Sequence, residues 1–309
     1  MKKYFLFILH VLSVPLWAQR GNEFLVYTVK GNVTALYNSQ ESAVKIGKIL
    51  KPGTTITMKQ GARMTMVCKQ GKPLPVTKEG SFPISNWKDS CKMNGNSMTS
   101  NYFRYIWNEF YTRSDEYQAE QKKGKDVNAV TRSPAPRRFE FRPNRVKIEF
   151  SPGLDTLNYA SGNFLLSWVS YNYSGKYLFT LFNTTTGRVL YKDSLHRSFI
   201  TVDKFVNLLE PGKRYAWTIT APKGGIIKRR ILNFVAAETV EKYIAALQRA
   251  VDVPEDSAAQ FFRIGYMLEQ GHYLADAFIY YKKAAEADPD IQLYNDKMLR
   301  FKNEFWIND

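Results

Sequence analysis

The chain has 309 residues, of which 44 are Lys or Arg and 28 are Asp or Glu, so its formal net charge is +16. A chain of this length is too long for one small core and fits two or three domains. The positive excess favours contact with anionic surfaces such as lipid head groups or acidic glycans. Nucleic acid is not an expected partner, because the sequence contains no readable base-recognition motif.

Residues 1–18 have the pattern of a secretory signal peptide. Lys2 and Lys3 form a basic tip, an apolar run covers residues 4–17, and Ala18 is a small residue at the exit. A membrane anchor, the alternative, would need about 20 apolar residues without this proline-containing break. No cysteine lies near the exit, and no later segment is apolar enough to span a membrane. We therefore expect an exported bacterial protein, periplasmic or envelope-associated, that is not a lipoprotein and has no transmembrane segment.

Removal of Lys2 and Lys3 with this leader takes two positive charges from +16 and leaves +14. Such a charge could mark a binder of anionic surfaces, or it could be the ordinary basic character of many envelope proteins. The charge alone does not separate these two interpretations.

Two cysteines, Cys68 and Cys91, lie 23 residues apart. Export places them in an oxidising compartment, so we predict one disulfide, with two free buried thiols as the alternative. A zinc site is not expected, because only His196 and His272 remain after removal of the leader and neither lies near the cysteines. We expect neither a metal nor a cofactor.

Residues 24–110 alternate short strand-forming runs with turns, which predicts an all-β roll or barrel-like unit. The predicted strands cover residues 24–29, 33–37, 54–58 and 63–68, with turns at Gly31, Gly53, Gly61 and Gly71. A helix over residues 101–110 closes the unit, since Tyr102, Ile106 and Phe110 recur on one face beside Phe103 and Trp107. We predict that this aromatic face packs on the β unit; a ligand platform is the alternative.

Several short motifs of this unit resemble a FecR-type periplasmic domain. They are the segment Val29-Lys30-Gly31-Asn32-Val33, the segment Leu50-Lys51-Pro52-Gly53, Ile56, the pair Gly61-Ala62, and alternating Met64 and Met66. The resemblance implies a β fold. FecR regulators are usually tethered by a membrane helix and signal to a sigma factor, and this chain has no such helix. Their regulatory function therefore does not carry over directly.

Residues 111–145 lose all periodicity and predict a flexible basic linker. Residues 118–130 are polar and lysine-rich, and the segment Ser133-Pro134-Ala135-Pro136 should be extended. The second half of the predicted linker contains five arginines: Arg132, Arg137, Arg138, Arg142 and Arg145. The linker could touch an anionic envelope surface, or it could be a solvated tether.

Residues 146–236 predict a β-sandwich, with strands near 164–169, 177–182, 188–191, 198–202 and 209–219. The pattern resembles a fibronectin type III or other immunoglobulin-like domain. Trp168 matches the core tryptophan of an early strand, and Leu209, Pro211, Gly212 and Tyr215 match the approach to a tyrosine corner. Trp168, Tyr215 and Trp217 are predicted core residues; a sugar-stacking patch is the alternative.

Residues 237–309 predict an all-α tail. An amphipathic helix covers residues 238–252, and acids in the segment 254–257 start the next helix. Eight residues then resemble a tetratricopeptide repeat (TPR): Phe261, Ile264, Gly265, Leu268, Ala277, Tyr281, Ala284 and Pro289. The resemblance implies close helix crossing at Gly265 and Ala277, a helix end at Pro289, and flanking half-repeats at 238–252 and 291–305.

The chain thus predicts a multidomain fold: an all-β N-terminal roll, a β-sandwich and an all-α TPR-like helical tail. No nucleophile elbow, phosphate loop or metal-binding helix motif is present, so we expect no enzyme and name no catalytic residues. We expect an exported envelope adaptor or scaffold that binds a protein partner through the TPR-like tail. The alternatives are a binder of anionic glycan or peptidoglycan, and a FecR-like signalling component.

Overall fold

The computed structural model describes residues 22–92, 97–114, 146–150, 152–222 and 229–305. The predicted signal peptide and nearly all of the predicted linker lie outside these ranges. Sheets occupy residues 24–234 and four helices occupy residues 237–305, which confirms the predicted fold class. Within the described ranges, no helix has both the length and the apolar character needed to cross a bilayer.

The N-terminal unit is built from two antiparallel four-stranded sheets with the orders β4-β1-β6-β7 and β3-β2-β5-β8. Its strands are β1 (Phe24–Lys30), β2 (Val33–Tyr37), β3 (Gln40–Ala43), β4 (Ile49–Leu50), β5 (Thr55–Met58), β6 (Arg63–Cys68), β7 (Pro73–Val76) and β8 (Gly80–Pro83). Ile56, Met64 and Met66 are fully buried between the sheets, because alternate residues of a strand point to one face. The predicted Cys68–Cys91 disulfide is confirmed, and it joins the end of β6 to the 3-10 helix Ile84–Cys91.

Helix α1 (Met98–Arg113) covers the outer face of the β1–β6 sheet and buries Tyr102, Phe103, Ile106 and Trp107. Ser97 and Ser100 cap its start reciprocally. The helix is longer than the predicted 101–110 and enters the segment that was predicted to be linker from residue 111. It continues because Tyr111 stacks on Trp107 at 6.2 Å.

The second unit is a sandwich of a three-stranded sheet, β14-β11-β9, and a five-stranded sheet, β10-β16-β15-β12-β13. Its strands are β9 (Lys147–Phe150), β10 (Thr156–Tyr159), β11 (Leu165–Tyr171), β12 (Tyr177–Asn183), β13 (Val189–Leu195), β14 (Phe199–Thr201), β15 (Lys213–Thr220) and β16 (Arg230–Phe234). All described pairings in it are antiparallel except β10 with β16. In the strand order, β10 lies at one edge of the larger sheet.

The tail consists of α2 (Ala237–Arg249), α3 (Ser257–Gln270), α4 (Leu274–Ala287) and α5 (Gln292–Phe305). Asp256 caps α3 by accepting a hydrogen bond from the Ala259 amide. The bounds of α3 and α4 give a helix, a three-residue turn and a second helix of equal length.

The tail does not form a separate core. One continuous cluster of buried apolar side chains joins α1, the sandwich and the tail, and it also takes in Leu25, Tyr27 and Val67 of the first unit. Phe24 and Val26 of the same strand β1 belong instead to the inner core of the first unit. Strand β1 is therefore buried on both faces, which explains why its sequence is apolar almost throughout.

The Cys68–Cys91 disulfide should stabilise the folded chain. Replacing both Cys68 and Cys91 by Ser should lower the free energy of unfolding by about 3 kcal/mol, because the unfolded chain regains the freedom of the closed loop. Urea unfolding of the variant and of the oxidised native protein measures the difference, and the reduced native protein is the matched control. Equal transition midpoints for all three would contradict the prediction.

Candidate functional site

The candidate site is the junction where the helical tail meets the two β units, together with the tail surface that this junction leaves exposed. Aromatic rings form its centre. Tyr105 of α1 stacks on Tyr266 of α3 at 4.9 Å and lies parallel to Phe262 at 6.5 Å. Tyr102 contacts Tyr266 at 5.4 Å. The inner side of α3 is therefore covered by α1.

A buried ion pair lies beside these rings. The Arg263 guanidinium donates from Nε to Glu255 Oε1 at 2.9 Å and from Nη2 to Oε2 at 2.8 Å, with side-chain exposures of 0% and 5%. Its Nη1 donates to the Leu247 carbonyl at 2.7 Å. Burial acts to lower the pKa of Arg263, but the hydrogen bond and charge of Glu255 outweigh it and raise that pKa.

Two tyrosines extend this network into the first unit. The Tyr27 hydroxyl donates to Glu255 Oε1 at 2.8 Å and lies 3.1 Å from the Tyr102 hydroxyl. Burial raises the pKa of both phenols well above its ordinary value. A β-bulge between Val26 and Thr28 also brings the Thr28 hydroxyl to the Pro254 carbonyl, at 2.9 Å. The loop before α3 is thus fixed on β1.

A second contact attaches the tail to the sandwich. The Asn158 amide N–H on the edge strand β10 donates to the His272 carbonyl at 2.9 Å, and its side-chain amide donates to the Gly271 carbonyl at 2.7 Å. His272 has a φ of +60°, so the turn between α3 and α4 presents consecutive carbonyls to the strand. The turn satisfies edge groups that would otherwise be open to pairing.

A third contact joins α5 to α1 and to the sandwich. Arg113 pairs with Asp296 at 2.5 Å, and Arg300 pairs with Glu109 at 3.1 Å. Phe305 packs on Phe164 of the sandwich, with ring centres 5.9 Å apart. The tail is therefore held by three separate contacts.

The TPR-like residues lie between α3 and α4. Ile264, Leu268, Ala277, Tyr281 and Ala284 are fully buried, Phe261 is half-buried, and Pro289 is exposed just beyond the end of α4. A methyl group on Gly265 would lie 2.9 Å from the Tyr281 ring. The small residue is needed because the ring packs directly over the helix backbone.

The predicted sandwich residues Trp168, Tyr215 and Trp217 are each at most 1% exposed. Trp217 packs between Phe150 and Phe179, at 5.2 and 5.9 Å. The Tyr215 hydroxyl accepts the Glu210 amide at 2.7 Å. Because these rings are enclosed, the alternative of a sugar-stacking patch at this position is wrong.

The outer side of α4 carries the exposed surface. Ile279 is 44% exposed, and Phe261 and Tyr280 form a half-buried edge-to-face pair at 6.0 Å. The Lys283 ammonium lies 4.9 Å from the Tyr280 ring centre and 5.9 Å from that of Phe261. We call Phe261, Ile279, Tyr280 and Lys283 the outer patch.

The sequence patterns did not identify the Arg263–Glu255 pair. From the sequence alone, Glu255 is predicted only to be an acid at a helix start. One signal was present, since Arg263 is the single charged residue between Ser257 and Leu268, where most residues are apolar. Such a residue is almost never fully buried unless it is paired.

Among the described residues, no group of three or more His, Cys, Asp or Glu side chains is placed to hold a metal ion. No model of a known protein family matches this chain, and no curated protein matches it. The resemblances to FecR, fibronectin and TPR domains therefore rest on residue patterns and geometry.

Arg263→Met should cost about 3–5 kcal/mol of unfolding free energy, because it leaves the Glu255 carboxylate buried without its cation. Adding Glu255→Gln should restore part of this loss. Arg249→Met, on the exposed side of α2, is the control and should stay within about 0.5 kcal/mol of the native protein. Chemical denaturation measures all four proteins. If Arg263→Met lowers the free energy of unfolding no more than Arg249→Met does, the prediction that the buried pair stabilises the fold is wrong.

Stability should fall in alkali. Burial raises the pKa of Tyr27, Tyr102 and Tyr281, so the unfolded chain releases these protons at a lower pH than the folded chain. The contribution of these tyrosines to the free energy of unfolding is complete below about pH 10. Above that pH it is lost, by up to about 1.4 kcal/mol per pH unit for each tyrosine.

Denaturant unfolding between about pH 8 and about pH 11 tests this loss. Phenolate absorbance should show that the three tyrosines ionise only when the chain unfolds. A free energy of unfolding that stays constant above about pH 10 would contradict it.

Proposed function

We propose that this chain is an exported, non-catalytic envelope scaffold that binds a protein partner through its helical tail. The proposal rests on the outer patch, which is an accessible surface of the tail. The tail has two broad sides, and the inner side is occupied by α1 through Tyr105. On the outer side, aliphatic, aromatic and cationic groups remain accessible together.

The composition of the outer patch favours a protein partner. Tyr280 and Phe261 offer rigid apolar area at low entropic cost, and Ile279 extends it along the helix. Lys282 and Lys283 are both exposed beside them. A partner segment with apolar anchors and flanking acids would complement this face, because opposite charges steer the encounter and set the register.

The three contacts of the tail support a scaffold rather than a mobile arm. The Glu255 network joins α3 to the first unit, the Asn158 contacts join the turn to the sandwich, and Arg113 joins α5 to α1. A partner seated on the outer patch would therefore take a fixed orientation relative to both β units.

We also propose the finer domain assignments. The Tyr215–Glu210 bond and the three-plus-five strand arrangement support an immunoglobulin-like or fibronectin-like sandwich. The contact of Gly265 with Tyr281 supports a TPR-like helix pair. For the first unit, the glycine turn at Gly31, with a φ of +82°, supports a FecR-like roll.

A photo-crosslinking experiment tests the partner site. p-Benzoylphenylalanine at position 279 should capture a discrete partner in envelope preparations, whereas the same group at position 208 should not. Leu208 is the matched control, since it is 48% exposed on the sandwich. With the captured partner purified, alanine at Tyr280 should weaken binding about tenfold, as expected for a contact worth roughly 1.4 kcal/mol. Equal capture at both positions, or unchanged affinity of the variant, would refute the proposal.

A further inference from the structure

The first β unit contains a cavity of about 540 Å³ that the outer patch does not involve. It lies between the β2–β3 hairpin and the segment that leads from β4 into β5. Its size is that of a small-molecule site. Its lining combines apolar residues, among them Leu50, which is 1% exposed, with polar and charged ones.

Two lysines line this cavity. The Lys48 ammonium donates to the Ser42 hydroxyl at 2.6 Å, and burial lowers the pKa of Lys48. The Lys51 ammonium lies 5.6 Å from the centre of the Tyr37 ring. Both cations belong to one short segment and line the same space. An anionic group entering the cavity would meet two ammonium groups and an aromatic wall.

The other lining groups narrow the kind of anion. Glu41 lines the same cavity, and its carboxylate can accept hydrogen bonds from hydroxyl groups, which a fully ionised inorganic anion does not offer. Ser42 can both donate and accept. A ligand that satisfies these groups has a carboxylate, several hydroxyls and an apolar ring face.

We propose that this cavity binds an acidic sugar residue, as found in a uronate-bearing envelope glycan. Its carboxylate faces Lys48 and Lys51, its hydroxyls face Glu41 and Ser42, and its ring packs against Tyr37. The inference is independent of the partner site on the tail, because the lining residues all belong to the first unit.

Isothermal titration of the mature protein with tetragalacturonate tests the site. Two further probes separate its features: the fully methyl-esterified tetrasaccharide keeps the rings without the charges, and tripolyphosphate keeps the charges without the rings. We expect binding of the acid form only. Equal binding of the ester would refute the role of the carboxylate, and equal binding of tripolyphosphate would refute a sugar site. No binding of the acid form would refute the whole proposal.

Lys48→Gln and Tyr37→Ala should each weaken binding about tenfold or more, as expected for a lost contact to a charged or aromatic group. Lys45→Gln is the charge-matched control, because Lys45 is exposed nearby but does not line the cavity. Equal weakening by Lys48→Gln and Lys45→Gln would overturn the proposal, because it would indicate a general charge effect, and unchanged binding by Tyr37→Ala would also overturn it. Should a variant fail to fold, amide chemical shifts of the native protein replace it: changes confined to residues 35–54 support the site, and changes elsewhere overturn it.

Discussion

The arrangement of the three units depends on the buried ion pair between Arg263 and Glu255. Removing two charges from water costs several kcal/mol per ion, and the mutual attraction of the pair offsets this only if every remaining donor and acceptor finds a partner. Here the partners come from outside the helix: the Leu247 carbonyl from α2 and the Tyr27 hydroxyl from β1. A shift of the tail by a fraction of a helical turn would leave one of these groups buried and unpaired. We therefore infer that the pair contributes mainly to specificity, by favouring one docking geometry of the tail.

This docking geometry determines which surfaces remain for ligands. The outer face of the β1–β6 sheet and the inner side of α3 bury each other through α1, so neither can receive a partner. The edge of β10 is covered by the turn at His272. Two features of the described residues lie outside this interior: the outer patch on the tail, and the cavity lined by residues 35–54 of the first unit. Both combine lysine with tyrosine, which is consistent with the strong positive charge of the chain.

Sequence patterns predicted the features that local spacing determines. Apolar residues recur every two residues in the strands β1, β2 and β6, and every three to four residues in the crossing helices α3 and α4. Each of these patterns can be found within a window of about 35 residues. The cysteine pair was predicted from the even number of cysteines together with the expected export to an oxidising compartment. The junction could not be found in this way. Tyr27, Glu255 and Arg263 lie up to 236 residues apart, measured from Tyr27 to Arg263, and each also fits an ordinary local role in a strand, a helix start or a helix. The parallel pairing of β10 with β16 was missed for the same reason, since a single edge strand has no partner signal of its own.

The fixed junction also constrains how the two proposed sites can communicate. Coupling between two binding sites requires an element with two arrangements, whose balance each ligand shifts. In the described part of the chain, the path from the cavity to the outer patch crosses the buried strand β1, the hydrogen-bonded Glu255 network and the packed interface between α3 and α4. Strong coupling would have to open that network and expose a buried charge, at a cost comparable to breaking the ion pair itself. We therefore expect the two proposed sites to bind independently at a fixed separation, so that any gain from occupying both comes from their geometry rather than from a conformational switch.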